Sequence, residues 1–381
     1  SQEDWRRLQA TGTVHLLVIS GLHIGLVAAW GFALGVFLGR AAACLHRGSN
    51  AFVMQWMPPL LACTCAAFYA ALAGFSIPTV RALTACLMLM LCRAFGLSLS
   101  PFVLLGVAVI AVGVNEPLAW HNAGFWLSFL AVALLFYVYA GRPQHASIRA
   151  FLSAQPMMAI GLTLPLWLIG QGTSFTGPLA NLIAVPVVSF VLVPALLLVA
   201  LIHSVFASVA VWVLQWMDQI FAWLWRWFGW LEGLPVPLWW PSHALTTFDL
   251  LLAIAGVLLL LAPAGLLVRG VGGLWLLLAL TSPGEPDYQL RVTVMDVGQG
   301  QAVILQTPKQ IWLYDAGPAY SENFDAGSRI VAPHLRRLGI HHLNMIVSHA
   351  DLDLGQLLLQ RARLCVVLVL RNPPLPGGRP L

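Results

Sequence analysis

Three side chains that could bind a divalent metal ion occur within five residues near the end of the chain. His349, Asp351 and Asp353 alternate in the segment IVSHADLD, directly after an apolar stretch that is typical of a β-strand. One imidazole and two carboxylates on a single loop suit Zn²⁺, Mn²⁺ or another divalent ion. A bound ion of this kind lowers the pKa of its water ligand, so the pattern indicates metal-assisted hydrolysis, with Asp353 as the candidate catalytic residue.

An isolated HxDxD pattern is also found in polar loops that bind no metal. Two upstream segments favour the metal site over that alternative: DVGQG at 296–300 and YDAGP at 314–318. Alternating apolar residues on both sides of DVGQG predict two short strands joined by a glycine-rich turn. The segment 330–340 predicts a helix, and 342–353 predicts a strand that ends in the ligand-bearing loop. The sequence therefore predicts a layered α/β fold for this part of the chain.

The rest of the chain has the composition of a polytopic membrane protein. Hydrophobic residues make up 60% of the sequence and charged residues 9%, with a mean hydropathy of +0.85, whereas soluble domains carry about a quarter charged residues. Charge is concentrated at one end, because the tail from Pro283 onward holds eight of the fourteen acidic residues. We therefore predict a membrane domain over 14–282 and a water-soluble domain that begins at 284.

A transmembrane helix needs about twenty mostly apolar residues. By that criterion nine or ten spans are predicted, and the last of them is short. They cover 14–38, 52–73, 77–95, 101–119, 122–140, 150–170, 179–202, 206–230, 247–268 and 271–282.

The arginines in the short loops predict the orientation of these spans. If the spans alternate, the basic residues fall on one side, which the positive-inside rule makes cytoplasmic. The polar tail then lies outside the cytoplasm if 271–282 crosses the membrane, and inside if that segment is only interfacial or re-entrant. The basic residues in question are Arg40, Arg47, Arg93, Arg142, Arg149 and Arg269.

Polar side chains inside the apolar region are expensive in hydrocarbon and often mark a substrate path. Several spans are also interrupted by proline, which is tolerated where the backbone lines a watery cavity. A path for an anion or a proton relay would use such groups, although ordinary hydrogen bonds between helices explain them equally well. The candidate path residues are His15, Ser20, His23, Arg81 and Asn181.

Six segments in a fixed order resemble the ComEC family of competence proteins. They are HLLVISGLHIGL at 15–26, FSIPTVRAL at 75–83, NEPLAWHNAGFWLSFLAV at 115–132, NLIAVPVVSFVLVP at 181–194, DVGQGQAVIL with LYDAGP, and SHADLD. The resemblance implies a polytopic α-helical channel of the bacterial inner membrane that takes up single-stranded DNA during natural transformation, followed by a metallo-β-lactamase-like domain outside the cytoplasm. It also implies a DNA-receptor protein outside the cell membrane and an ATP-driven motor inside, with a homo-oligomer left open.

The resemblance assigns residues in the polar tail as well. His349, Asp351 and Asp353 match the first three positions of the family's metal motif, and Asp315 matches the acid that supports it. Leu354 stands where the family has a histidine, and no later ligand has a counterpart, so we expect weak or absent binding of Zn²⁺ or Mn²⁺ and leave enzyme activity open.

The two ends of the chain also depart from the family pattern. We expect residues 1–13 to be a truncated lead-in, 284–353 a partial metallo-β-lactamase-like domain, and 354–381 a tail without a regular element, such as a frameshift would produce. Two alternatives to the channel remain open: a membrane-tethered, metal-dependent phosphodiester hydrolase and a non-functional truncated product.

Overall fold

The computed structural model describes most of the chain and divides it into two compact units. The first unit holds residues 3–162 and 174–237, and the second holds 163–173 and 238–381. The described residues are 2–17, 21–45, 51–140, 148–236, 238–241, 245–263, 265–281, 289–321, 324–340, 342–348 and 365–370.

The first unit is built from helices. Helix starts follow local sequence signals: Ser100 accepts a hydrogen bond from the Val103 amide, and Asn122 accepts one from the Gly124 amide. The helices are α1 (Gln2–Ala10), α2 (Val14–Leu17), α3 (Gly21–Leu45), α4 (Ala51–Leu72), α5 (Ile77–Ala94), α6 (Pro101–Asn115), α7 (Ala123–Tyr139), α8 (Ile148–Leu168), α9 (Gly177–Pro186), α10 (Val193–Ile202) and α11 (Ala207–Glu232), with a 3₁₀ turn at Pro117–His121.

Among the described helices, four segments are long and apolar enough to cross a membrane: Gly21–Cys44, Ala51–Leu72, Ile148–Leu168 and Gly177–Ile202. Four shorter apolar helices, Pro101–Asn115, Ala123–Tyr139, Thr247–Leu261 and Leu267–Thr281, accompany them. Large side chains such as Phe37, Phe52 and Leu201 stay exposed, as lipid-facing residues do. A mostly helical membrane protein is thus confirmed, while the count of nine or ten spans stays a prediction.

The segment 177–202 is one continuous helix that contains a π-helical turn, and we call it the π-containing helix. Between α9 and α10 the backbone takes a π-helical turn over Val187–Leu192, which follows Pro186 and precedes Pro194. Prolines remove backbone donors from a helix, and π-turns occur often at functional sites. The backbone stays helical through both prolines, so the predicted interruption of this span by proline is limited to this π-helical turn.

The helices α3, α4 and α5 form a close-packed core in the first unit. A Cβ atom at Gly35 would lie 2.5 Å from the Cα atom of Pro58, so α3 and α4 approach each other almost backbone to backbone. Ile24 and Ala66 are fully buried there, and Val193 of α10 packs against the same cluster. The π-containing helix therefore packs against α3 through the start of α10.

Two short helices open the second unit, α12 (Thr247–Leu261) and α13 (Leu266–Thr281). The predicted span 247–268 is wrong at its end, because the helix stops at Leu261 before Pro263 and a new helix starts at Leu266. Asp249, one of the few acids in the apolar region, forms a capping box with Thr246 and is thereby accounted for.

The rest of the second unit is a small α/β domain. Its sheet has the order β1-β2-β3-β6-β7, in which β2 is antiparallel to both β1 and β3, and β6 is parallel to both β3 and β7. Helix α14 (Ala332–Arg337) and a π-helical turn at Gly327–Val331 cover one face. The strands are β1 (Arg291–Val294), β2 (Val303–Gln306), β3 (Ile311–Tyr314), β4 (Ala319–Ser321), β5 (Phe324–Asp325), β6 (His342–Val347) and β7 (Cys365–Leu370).

Strand β7 corrects one expectation. No regular element was predicted for 354–381, yet Cys365–Leu370 pairs with β6 along its whole length. The segment CVVLVL is a continuous apolar run rich in valine, a composition that is common in parallel strands although it lacks polar and apolar alternation. The metallo-β-lactamase-like identity of this domain stays a prediction.

Candidate functional sites

The three motifs of the polar tail meet at one edge of the sheet. Strands β1, β3 and β6 run in the same direction, so the loops that follow Val294, Tyr314 and Val347 all emerge at their carboxyl ends. In sheets of this kind, ligands bind outside the carboxyl ends of the strands. The edge therefore brings DVGQG, YDAGP and the start of the SHADLD loop together.

Asp315 holds the start of the SHADLD loop. Its carboxylate accepts a hydrogen bond from the Ser348 amide at 2.8 Å and a second from the Ser348 hydroxyl, across 33 residues of chain. The backbone of Asp315 lies in the left-handed region with φ +51°, which is uncommon outside glycine. Because both carboxylate oxygens accept hydrogen bonds from Ser348, Asp315 positions the start of the loop.

Glycines let the DVGQG loop and the YDAGP loop approach each other. A Cβ atom at Gly317 would lie 2.7 Å from the Ala326 Cβ atom and 2.8 Å from the Val297 Cβ atom, and the Gly317 amide donates to the Gln301 carbonyl at 2.9 Å. Gly317 also has φ +76°, which other residues rarely adopt. Gly298 and Gly300 of DVGQG also have positive φ, so the backbone requires glycine in both motifs.

The predicted metal ligands His349, Asp351 and Asp353, together with Leu354, lie outside the described residues. Within the described part of the chain, no three His, Cys, Asp or Glu side chains form a group that could hold a metal ion. Metal binding at this edge therefore rests on the three residues of the predicted motif, and Zn²⁺ or Mn²⁺ stays a prediction.

A second set of candidates lies in the helical unit. His23 and Arg81 are 3% and 6% exposed, and neither ring nitrogen of His23 nor Nε of Arg81 has a hydrogen-bond partner among the described residues. The Asn181 side-chain oxygen is also buried without a hydrogen-bond partner among the described residues. Unpaired buried polar groups cost about 1–3 kcal/mol each, so a cluster of them needs an explanation.

The structure separates two of the predicted path residues from this set. His15 lies in α2 and is exposed, and Ser20 lies outside the described residues. The predicted span 14–38 contains both His15 and His23, whereas the structure assigns His15 to α2 and His23 to α3, where His15 is exposed and His23 is buried.

Ser189 belongs to the second set and was missed. It lies in the π-helical turn, is fully buried, and its hydroxyl has no partner among the described residues. A signal existed in the sequence, because Ser189 is the single hydroxyl in the apolar run from 182 to 202. Its importance comes from its buried hydroxyl, which has no partner among the described residues, on the π-helical turn.

Packing contacts bring the helices that carry these groups together. A Cβ atom at Gly21 of α3 would lie 3.2 Å from the Cβ atom of Ala82 in α5. Gly21 is two residues before His23, and Ala82 directly follows Arg81. Ile24, Ala82 and Val193 share one apolar cluster, so α3, α5 and the start of α10 adjoin. The unpartnered groups thus belong to neighbouring helices within one unit.

These features define the class as a helical membrane protein with a small α/β domain. A family model described as "Competence protein" matches residues 1–266, and the chain belongs to that family, which confirms the resemblance. Membership supports a role in competence.

Three curated relatives extend the match along the chain. It is 29% identical over 372 residues to "Competence protein ComA" of Neisseria gonorrhoeae, covering 92% of this chain and 48% of the relative. It is 29% identical over 391 residues to "Recombination protein 2" of Haemophilus influenzae, with 92% and 48% covered. It is 24% identical over 374 residues to "ComE operon protein 3" of Bacillus subtilis, with 91% and 45% covered.

The chain thus spans about half the length of these relatives. No solved structure matches it significantly.

Proposed function

We propose that this chain forms a channel for single-stranded DNA in the inner membrane of a bacterium, acting in natural transformation. The observation that carries the proposal is the set of buried, unpartnered polar groups on neighbouring helices, His23, Arg81 and Ser189, of which Ser189 lies on a π-helical turn. Polar groups inside the membrane are costly and mark substrate or ion pathways, and π-helical turns occur often at functional sites.

Charge is the second argument. The described helices α3, α4, α5 and α9 contain no acidic side chain, whereas α5 buries the Arg81 guanidinium. A buried cation without a neighbouring acid on these helices attracts a polyanion and repels cations. A nucleic-acid strand fits this field, and a proton relay would need further titratable groups on the same helices.

The test is entry of DNA into liposomes that contain the purified full chain. We expect a fluorescent oligothymidylate to become protected from external nuclease, whereas a duplex of the same length stays outside. Empty liposomes and liposomes that hold Arg81→Gln serve as controls. Entry of duplex and single strand at equal rates, or no entry above the empty control, contradicts the channel.

A metal-dependent phosphodiester hydrolase is the second candidate. It is supported by the convergence of three loops at the carboxyl ends of β1, β3 and β6 and by the Asp315–Ser348 contact. His349, Asp351 and Asp353 would hold the ion, which supplies an activated water when bound. Leu354 lacks the donor that the family pattern has there.

Replacing His349 separates the two candidates. His349→Ala should abolish metal-dependent cleavage of single-stranded DNA if the tail is a nuclease, and should leave entry into liposomes unchanged if the helical unit is the channel. Cleavage that persists in the variant contradicts the hydrolase. A chain that neither cleaves nor admits DNA would be the truncated, non-functional product.

The proposed partners follow from the family. We propose that the tail lies outside the cytoplasm, where a DNA-receptor protein delivers the strand, and that an ATP-driven motor acts on the cytoplasmic side. Membrane lipid covers the exposed apolar side chains of the helices, such as Phe52 and Leu201.

A further inference from the structure

We infer that Arg81 is the centre of a phosphodiester-binding site inside the helical unit. The inference rests on the proposed channel and goes further by naming the group on the strand that is recognised. Arg81 lies five residues into α5, is 6% exposed, and its Nε–H has no acceptor among the described residues. A guanidinium in this state retains donors for an anion.

The charge around Arg81 is not compensated by a close ion pair. Within the described part of the chain, Arg81 forms no ion pair, whereas Arg6 and Arg7 pair with Glu232. The carboxylate that acts on Arg81 electrostatically is Glu116, which follows the end of α6 and is half-buried. A buried charge without a close partner is destabilising, so a structure that retains one has a use for it.

Two further groups can complete the site. His23, two residues from the contact between α3 and α5, has both ring nitrogens unpartnered, and the Ser189 hydroxyl is unpartnered on the π-helical turn. One imidazole N–H, one hydroxyl and a guanidinium are the donors that phosphate oxygens accept best. Neither His23 nor Ser189 carries a fixed negative charge that would repel an anion.

The favoured ligand is a phosphodiester of a single strand. A phosphodiester carries one negative charge, which matches one guanidinium. Binding must also be weak enough for the strand to move on, and Glu116 supplies that property because its carboxylate competes with the phosphate for Arg81. A lipid headgroup has the same phosphate chemistry and is treated as a contrary outcome below.

The test compares a charged backbone with a neutral one. The full chain is placed in phosphatidylcholine nanodiscs, and fluorescence anisotropy gives its affinity for a short oligothymidylate and for the same oligomer with a methylphosphonate backbone. We expect the wild-type chain to prefer the charged oligomer by about tenfold or more. Arg81→Gln should lose most of this preference, and Arg81→Lys should keep part of it because a lysine retains the charge without the planar donors.

Arg93→Gln is the matched control. Arg93 is on the same helix and has the same charge, but it is exposed and lies over the Phe32 ring at 5.0 Å. We expect this variant to keep the preference of the wild-type chain. If both arginine variants lose it equally, the effect is one of total charge and the site is overturned.

Glu116→Gln gives a result of opposite sign. Because the competing carboxylate is removed, this variant should bind the charged oligomer more tightly than the wild-type chain. It keeps the proposal testable even if Arg81→Gln does not fold. Unchanged or weaker binding by Glu116→Gln would overturn the inference.

The outcomes for the site and for the channel are separate. A chain that admits single strands into liposomes but binds charged and neutral oligomers alike overturns the phosphodiester site and leaves the channel. A preference that depends on Arg81 without any entry of DNA retains the site and removes the channel. If phosphatidylglycerol in the nanodiscs abolishes the preference, the site belongs to lipid headgroups and the inference is overturned.

Discussion

Asp315 shows how a single residue can set the geometry of a whole loop. It combines a left-handed backbone with two charge-assisted hydrogen bonds to Ser348, the residue immediately before His349. Hydrogen bonds to a charged group contribute about 1.5–3 kcal/mol. We therefore predict that Asp315→Ala lowers the hydrogen-exchange protection of the Ser348 amide by roughly tenfold or more, as measured by mass spectrometry on the full chain.

Two variants calibrate that result. Asn is several-fold enriched in the left-handed region, so Asp315→Asn keeps the backbone and should retain part of the protection. Asp296→Ala removes an exposed carboxylate with one longer hydrogen bond, 3.2 Å from the Gly298 amide, and should leave Ser348 unchanged. Equal loss in all three variants would mean that Asp315 does not hold the loop.

His334 gives the polar tail a dependence on pH. Burial lowers the pKa of His334, and the nearby positive charge of Arg337 lowers it further. Because the folded-state pKa is below the unfolded value of about 6.5, the unfolded chain binds more protons in acid and stability falls as the pH drops below that value. We expect His334→Gln to show a smaller loss of stability than the wild-type chain between about pH 7.5 and about pH 5.5.

The measurement is hydrogen exchange of the β6 amides in the full chain at increasing urea concentration. The urea concentration at the midpoint of the transition is then compared between pH values. Other histidines and carboxylates titrate in the same range, so only the difference between the variant and the wild-type chain is diagnostic. Identical slopes against pH would show that His334 does not contribute.

At the scale of elements, the close packing of α12 against α13 depends on Gly256 and Gly272. A Cβ atom at Gly272 would lie 2.4 Å from the Leu260 amide nitrogen and 2.6 Å from the Gly256 carbonyl oxygen. These are backbone atoms that cannot rotate away, so Gly272→Ala should force the helices apart and destabilise the pair by about 1–3 kcal/mol. A lower melting temperature of the detergent-solubilised chain would show this.

Gly273 is the matched control because it is the next residue on the same helix. A Cβ atom there would meet the side chain of Leu260 at 4.0 Å, which is an ordinary contact. Gly273→Ala should be neutral or slightly stabilising, since alanine favours a helix by about 1 kcal/mol over glycine. If both variants lower the melting temperature alike, close approach of the helices is not what the glycine provides.

Most of the elements could be predicted from the sequence, since hydropathy and loop residues located the helices from α4 to α11 to within a few positions. The first span, predicted over 14–38, was wrong at both ends, because α3 runs from Gly21 to Leu45 and Val14–Leu17 belongs to α2. The end of the span 247–268 was wrong although Pro263 and Gly265 signal a break, because a hydropathy window averages over such residues. The contact of Asp315 with Ser348 could not be derived, because it depends on the pairing of β3 with β6. The burial of His23 and the exposure of His15 could not be predicted either, because both depend on how the helices pack.

At the scale of the molecule, the helices of the second unit allow a prediction of the side of the membrane on which its α/β domain lies. Helices α12 and α13 have 15 and 16 residues, so each is about 22–24 Å long, less than the roughly 30 Å of a bilayer core. They are consecutive and pack tightly against each other. Whether this hairpin crosses the membrane or re-enters it, its two ends emerge on the same side.

Contacts of α14 support the same conclusion. A Cβ atom at Gly170 would lie 2.6 Å from Pro333, and the Arg336 guanidinium lies 4.9 Å from the centre of the Trp240 ring. Thr173 and Trp239 exchange two backbone hydrogen bonds, which ties the loop after α8 to the segment before α12. The α/β domain therefore packs on the loops around Gly170 and Trp240, and we predict from the arginine distribution that these loops lie on the side away from the cytoplasm.

These contacts predict the accessibility of three exposed positions in the second unit: Gln171, Gly265 and Lys309. In a chain whose six native cysteines are replaced by alanine, single cysteines at these positions are treated with a membrane-impermeant maleimide in spheroplasts and in inverted vesicles. Gln171→Cys and Lys309→Cys should react in spheroplasts alone. Gly265→Cys, at the turn between α12 and α13, should react in inverted vesicles if the hairpin crosses and in neither preparation if it is re-entrant. Reaction of Gln171→Cys and Lys309→Cys from opposite faces would refute the packing of α14 on the Gly170 loop, and with it the placement of the α/β domain outside the cytoplasm.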